Sequence, residues 1–197
     1  MSYNFKQAKF FTTVNDLIKL PNTQKEIAVV GRSNAGKSSL LNTLTNQTRL
    51  AYTSKTPGRT QHINYFEVAE GIHLVDLPGY GYAKVPAEIR QHWVKLLGRY
   101  LQIREEIAGL VLIMDSRHPL KELDLQMIEF FAPTGKPLHV VLSKADKLTN
   151  QEKTATLRNV QQVIGGYGFV NLSTQLFSSL KRQGIEELEA KLNEWLI

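Results

Sequence analysis

The sequence predicts an α/β sandwich: a mostly parallel six-stranded sheet with one antiparallel strand and helices on both faces. Three observations point to it. One strand–loop–helix unit, residues 26–44, carries a glycine-bracketed loop; a single hairpin-like pair of runs follows it; beyond the hairpin, short apolar runs alternate with stretches of helical periodicity. The 197 residues contain no internal repeat, low-complexity run or Pro/Ser-rich linker, so one domain over residues 25–197 is expected, with residues 1–24 as an extension packed on it.

Taken in order, the extension offers Lys9–Val14 as a strand-like run and Asn15 as the cap of a helical turn ending at Pro21. Glu26–Val30 reads as a short buried strand, and Leu40, Leu41 and Leu44 fall at helical spacing. The polar stretch Asn46–Gln61 reads as a loop. His62–Val68 and Ile72–Val75, joined through Ala69-Glu70-Gly71, make the hairpin that supplies the antiparallel strand. Gly79–Val85 is a loop rich in glycine and tyrosine. Ile89, Trp93, Leu96, Leu97, Tyr100 and Leu101 mark one helix face, and Leu123, Met127, Phe130 and Phe131 another. Leu110–Met114 and Leu138–Leu142 are buried strands. A polar-faced helix spans about Gln151–Ile164, Phe169–Phe177 supplies the last strand, and Ile185, Leu188, Leu192, Trp195 and Leu196 face inward from a closing helix.

Composition narrows the function classes. With 42% hydrophobic and 21% charged residues the chain is ordinary for a globular protein. It has no cysteine, which excludes a disulfide framework and a thiolate metal site. No apolar run is long enough to cross a membrane and the N-terminus lacks the order of a signal peptide, so a cytoplasmic protein with no membrane partner is expected. Residues 1–60 carry nine Lys/Arg against two acids, while residues 61–197 carry fifteen against sixteen. Lys6, Lys9, Lys19, Lys25, Arg49, Lys55 and Arg59 exceed what a phosphate site needs and suggest a polyanionic partner; a merely basic, solvated surface is the competing reading. The five histidines, His62, His73, His92, His118 and His139, are dispersed without metal-ligand spacing, and surface or loop places are expected for them.

The chemistry lies at strand ends. Gly31-Arg32-Ser33-Asn34-Ala35-Gly36-Lys37-Ser38 has two glycines with four residues between them, then lysine and a hydroxyl, in the strand–loop–helix context a phosphate loop requires. Its backbone N–H groups and the helix N-terminus, continuing into Ser39, can cradle phosphates. Lys37 is placed for the β- and γ-phosphates and Ser38 for Mg²⁺. The alternative is a glycine-containing turn that binds nothing. Asp76-Leu77-Pro78-Gly79 follows a strand, so that Asp76 can hold a water of the Mg²⁺ and the Gly79 N–H can meet the γ-phosphate. Ser143-Lys144-Ala145-Asp146 follows another. A carboxylate there accepts from guanine N1–H and N2–H₂, a donor pair adenine lacks, and the Lys144 methylenes can cover the base. Phe177-Ser178-Ser179 follows the last strand, and the Ser179 N–H can meet guanine O6. Singly each match is weak, and Asp146 reads equally well as a helix cap.

Together these passages resemble the translation-factor-class GTPases, with their five motifs in order, and more closely the bacterial EngB/YihA/YsxC family. The match is carried by Gly31–Ser39, Ser54–Gln61, Asp76–Tyr82, Arg117–Lys121 and Phe177–Lys181. The resemblance implies a Ras-like fold, GTP and GDP as ligands, Mg²⁺, a role in assembling the large ribosomal subunit through that subunit or its rRNA, and a phenotype in cell division and septation. It makes Gly58, Arg59, Thr60 and Gln61 a switch segment, with Thr60 joining Ser38 and Asp76 at the metal; Thr56 is the alternative threonine. Lys37, Thr60, Gly79 and Asn34 are the residues expected to serve catalysis. Two positions depart from the commonest GTPase pattern: Ser143 replaces Asn or Thr, and Tyr80 stands where Ras-like enzymes carry the water-orienting glutamine, so slow hydrolysis is expected. Asn34 occupies the position that contributes an oxygen to K⁺ in potassium-stimulated relatives, or it only shapes the loop. Arg59 can act as a finger in cis or contact RNA, and the ribosome can supply the missing group. A module that holds nucleotide without useful turnover, and a P-loop phosphotransferase or ATPase, are the rival readings. Nothing suggests an obligate interface, so a monomer is the default.

Overall fold

The structure is a computed structural model, describing residues 2–51, 62–81 and 85–197. Its strands are β1 (Lys9–Val14), β2 (Lys25–Gly31), β3 (Ile63–Ala69), β4 (Ile72–Asp76), β5 (Ile107–Asp115), β6 (Leu138–Ser143) and β7 (Leu172–Leu176). The α-helices are α1 (Lys37–Leu44), α2 (Ala87–Ile103), α3 (Glu122–Phe131), α4 (Asn150–Gly165) and α5 (Ile185–Leu196). The strands form one sheet in the order β1-β3-β4-β2-β5-β6-β7. Neighbours pair in parallel from β4 to β7, while β3 is antiparallel to both β1 and β4, so it alone runs against the rest.

The sheet therefore has seven strands where six are expected. The added strand is β1, which pairs with β3 from Lys9 opposite Glu67 to Val14 opposite Ile63, with a register shift between Phe10 and Thr12. It covers the edge N–H and C=O groups that β3 would otherwise present to solvent. The local pattern marks Lys9–Val14 as strand-like but carries no information about its partner. Two boundaries also differ. Asp16, rather than Asn15, caps the following turn, its carboxylate accepting from Ile18 N–H at 3.0 Å. The last strand begins at Leu172, not Phe169, whose ring stacks on Phe131 with centroids 6.3 Å apart.

Burial explains the strand composition. The strands β4 and β6 are buried throughout, and β2 and β5 nearly so, because helices cover both faces. One apolar layer includes residues of α2, α3 and α4, the other residues of α1 and α5 with Phe5. The chain leaves β2 through α1 toward the β3–β4 side and leaves β4 through α2 toward β5 on the other side of β2. That reversal opens a crevice at the C-terminal end of β2, where a ligand site belongs in such sheets.

The N-terminal end of β2 is closed by a polar network. Glu26 is fully buried and accepts from Thr23 Oγ1 at 2.7 Å, Tyr100 Oη at 2.6 Å and Arg104, whose Nη2 lies 2.6 Å away. Arg104 also donates to the Pro21 carbonyl at 2.6 Å, tying the extension to the sheet. Burial alone would lower the Arg104 pKa, but its hydrogen bonds and attraction to Glu26 outweigh that and hold it above its usual value. Lys25 is likewise committed internally, donating to the Leu196 and Ile197 carbonyls at the C-terminal end of α5, where the helix dipole favours a cation.

Two of the histidines are not at the surface. His73 and His139 are buried, on β4 and β6, because those strands are covered on both faces. His139 fits as neutral imidazole: Nε2 stands 2.8 Å from Gln175 Oε1 and Nδ1 2.7 Å from Ser173 Oγ, so Nε2–H donates and Nδ1 accepts. Burial lowers the pKa of both rings. They are core residues.

Candidate nucleotide-binding site

The loop between β2 and α1 is built on backbone that tolerates no other residues at its ends. A Cβ at Gly31 would stand 2.8 Å from the Ile113 carbonyl oxygen of β5, so close packing of the two strands requires glycine. At the other end Gly36 has φ +102° and caps α1, a left-handed conformation that L side chains resist. Asn34, at φ 64°, makes the intermediate turn, and Ala35 N–H closes it onto the Arg32 carbonyl at 3.1 Å. The first turn of α1 contains Lys37, Ser38 and Ser39, so the positive end of the helix dipole lies beside the loop. Lys37 Nζ forms an ion pair with the Asp76 carboxylate, and both side chains are largely buried.

Asp76 ends β4 opposite Val29 of β2. The segment after it stays beside the loop: Leu77 N–H donates to Val29 O at 3.0 Å, Tyr80 N–H to Gly31 O at 3.3 Å, and Ser33 N–H to Tyr80 O at 2.6 Å. Pro78 and Gly79 are thereby held between two anchored residues. Tyr80, at the position of the glutamine, is 1% exposed, and its hydroxyl donates to Asp124 Oδ1 of α3 at 2.6 Å. Burial, then the neighbouring Asp124 charge, pushes its pKa well up, so the phenol stays protonated. Its side chain is committed to α3.

The base end joins the termini of β6 and β7. Ser143, in place of the usual Asn or Thr, still ties this strand end to the phosphate loop: its hydroxyl donates to the carbonyl oxygen of Ala35 or, at 3.2 Å, of Met114. Lys144, at φ 57°, donates to the Asn34 carbonyl at 2.7 Å, linking this strand end to the phosphate loop. Ala145 N–H donates to Phe177 O at 3.0 Å, and Ser178 Oγ donates to Asp146 Oδ1 at 2.6 Å. The Ser178 hydroxyl in turn accepts from Lys181 N–H at 3.1 Å. That hydroxyl holds the Asp146 pKa below the usual carboxylate range, keeping it an acceptor, while Ser179 follows directly in the same turn.

Two carboxylates outside the nucleotide motifs enter this region, Asp115, which reads from the sequence as the cap of the Arg117-His118-Pro119 turn, and Asp124. Asp115, at the end of β5, caps its turn through Arg117 N–H at 3.0 Å as a strand-end acid should, and also pairs with Lys144 Nζ at 3.2 Å. Burial opposes its ionisation, but Arg117 and Lys144 hold its pKa low. Asp124 lies within a helix pattern, where nothing local marks it as the partner of Tyr80. Asp115, at the end of a strand like Asp76, did carry a signal.

The arrangement brings the phosphate loop, Asp76–Gly79, Ser143–Asp146 and Phe177–Ser179 to the C-terminal end of the parallel strands. Gly58, Arg59, Thr60 and Gln61 lie outside the described residues, as does Thr56. The oxygen donors Ser38 and Asp76 suit a hard divalent cation that takes its remaining ligands from phosphates and water. A carboxylate already balanced by the phosphate-loop lysine fits that use. Asn34 is exposed and its carboxamide makes no hydrogen bond among the described residues, leaving its oxygen open to a monovalent cation or to solvent. Four of the described cations in the first sixty residues lie beside acids or carbonyls in the fold. Lys25 and Lys37 have internal partners, Lys6 lines a surface hollow with Glu186, Glu187 and Glu189, and Lys9 lines another with Glu67 and Glu70. Among the described residues no helix is long and apolar enough to cross a membrane.

Residues 26–144 match the family model described as 50S ribosome-binding GTPase. The chain is 62% identical over 193 residues to a protein of Neisseria meningitidis serogroup B named "Probable GTP-binding protein EngB", covering 98% of this chain and 92% of the relative. Among solved structures it is similar to a crystal structure of a probable GTP-binding protein engB, with TM-score 0.68, 22% identity and coverage of 86% of this chain and 97% of the other. It is also similar to Era in complex with MgGDPNP and nucleotides 1506–1542 of 16S ribosomal RNA. There the TM-score is 0.64 at 21% identity, over 87% of this chain and 56% of that one. At these identities the two structures show the fold.

Proposed function

Because this chain belongs to the EngB family of GTP-binding proteins, within the 50S ribosome-binding GTPases, we propose that it is a slow GTPase whose nucleotide state controls its action in assembling the large ribosomal subunit. The observation that carries the reading is the join between two strand ends at the base site. Ala145 N–H on Phe177 O and Ser178 Oγ on Asp146 Oδ1 hold an ionised carboxylate ready for the guanine N1–H and N2–H₂ donors. Adenine offers no such pair of donors, which counts against an ATP-dependent reading.

In the proposed reaction water attacks the γ-phosphate in line, giving GDP and phosphate. Lys37 leaves Asp76 for the β- and γ-phosphate oxygens, and the loop N–H groups with that of Gly79 stabilise the charge that develops there. Ser38 and Asp76, with Thr60 of the switch segment, would hold a magnesium ion, which supplies positive charge to the same oxygens when bound. Slowness follows from Tyr80, whose hydroxyl is engaged by Asp124 and offers nothing to orient water. Asn34 is the proposed ligand of a K⁺ that would do the work of an arginine finger. Turnover should then be several-fold faster in potassium than in sodium salts, and equal rates would remove the ion from the scheme.

The proposed partner is the large ribosomal subunit or its rRNA, encountered in the cytoplasm by a monomer, with cell division and septation depending on it downstream. The ribosome-binding character of the family and the RNA bound by the Era structure support an RNA partner. The test is co-sedimentation of the full chain with large subunits at stated salt, in a non-hydrolysable GTP analogue and in GDP. Association is expected with the analogue and release with GDP. Equal association in both would remove nucleotide control.

A further inference from the structure

Tyr80 and Asp124 form a buried pair that neither the phosphate loop nor the base site uses. Both are 1% exposed, and the pair joins the residue after Gly79 to the first turn of α3. The carboxylate is fully engaged: Oδ1 accepts from Tyr80 Oη at 2.6 Å and Oδ2 from Lys121 N–H at 3.0 Å. Next along the chain, Gly81 has φ +77°, and a Cβ there would stand 3.0 Å from Arg32 Nε and 3.4 Å from Leu123 of α3. The segment Gly79–Gly81 thus has phosphate-loop residues on one side and α3 on the other. Its backbone is tied to the loop through Tyr80 N–H on Gly31 O and Ser33 N–H on Tyr80 O. Its side chain is tied to α3.

We propose that Asp124 is a positioning residue for triphosphate recognition: through the Tyr80 hydroxyl it fixes the Gly79 N–H where the last phosphate of GTP arrives. The inference rests on the reading of Gly79 as the γ-phosphate contact. Neither Tyr80 nor Asp124 is among the groups that touch nucleotide, so the pair works by removing freedom from the segment before the ligand binds. Diphosphate has no atom at that place. Loss of the pair therefore weakens binding of the triphosphate and leaves the diphosphate alone, a split that general destabilisation would not produce.

The experiment compares dissociation constants of GDP and a non-hydrolysable GTP analogue, both with Mg²⁺, for the full chain and for Tyr80→Phe, Asp124→Ala, the double variant and Gly79→Pro. Each single change at the pair should lower the preference for the analogue about five-fold, the size of effect expected for one well-placed hydrogen bond, with GDP affinity within two-fold of the parent. The double variant should fall no further than the larger single effect, because the two residues act as one unit. If Asp124→Ala does not fold, Tyr80→Phe, which removes one hydroxyl, decides alone. An unchanged preference in folded variants, or a shift toward the analogue, overturns the proposal while leaving the reading of Gly79 intact provided Gly79→Pro loses it. If Gly79→Pro, which has no N–H at that place, keeps the parent's preference, the underlying reading fails and the proposal with it.

Discussion

Replacing Asp146 by Asn is expected to lower GDP and GTP affinity by on the order of a hundred-fold or more, because two charge-assisted hydrogen bonds of about 1.5–3 kcal/mol each are lost. The carboxylate presents acceptors only, and the amide turns one of them into a donor that faces the donors of guanine. The Ser178 hydroxyl, 2.6 Å from Oδ1, can still donate to the remaining oxygen, so the side chain keeps its place and the loss is chemical rather than structural. Xanthine has a carbonyl where guanine has its amino group and should therefore gain what guanine loses. Competition for labelled GDP and labelled xanthosine diphosphate measures both changes. The parent should be displaced by GTP and not by ATP; displacement by both alike, or an Asp146→Asn variant that still prefers guanine, would move base recognition away from this residue.

At the opposite end of β2, Glu26→Ala should be the most destabilising single change in the fold, about 3–5 kcal/mol. It leaves the Arg104 guanidinium, 11% exposed, without its counter-ion, and strands the Tyr100 and Thr23 hydroxyls. For a chain of this size that corresponds to a fall in Tm of roughly 10 °C. Exchanging Glu26 and Arg104 together for Met should recover a large part of the loss, because the penalty belongs to the unpaired charge rather than to the missing bridge. GDP affinity measured well below the transition should stay near that of the parent, since the network lies a full strand away from the phosphate loop. Calorimetry of the three proteins checks the first two statements; a loss below about 1 kcal/mol for Glu26→Ala would mean that water or Glu106, 3.2 Å from Arg104 Nε, takes over the charge.

These two residues are not equally legible. Asp146 follows the apolar run Val140-Val141-Leu142, and its place at a strand end is readable from the pattern alone. Glu26 looks like any acid at the start of a strand, and its importance arises from Thr23, Tyr100 and Arg104, which only folding collects around it. The same contrast separates Lys37, recognisable from its spacing to Gly31 and Gly36, from Lys6, Lys9 and Lys25. Those three read as part of a basic patch and end beside acids or on the end of a helix. His139 and His73 defy the expected surface placement for the same reason: whether a histidine in an apolar run is covered depends on helices far along the chain.

What the sequence determined by itself is whatever depends on local spacing. The alternation of apolar runs defines the sheet, and the strand–loop–helix unit at Gly31–Ser38 defines the phosphate cradle, because period and backbone conformation are properties of neighbouring residues. What the tertiary structure alone decided is whatever depends on partners distant in the chain: the seventh strand β1 on the edge of β3, the Lys37–Asp76 ion pair, the Asp115–Lys144 pair, and Tyr80 turned into the core onto Asp124. Those contacts are selected by burial, since a polar group taken out of water must find its partner among whichever chain segments packing brings beside it.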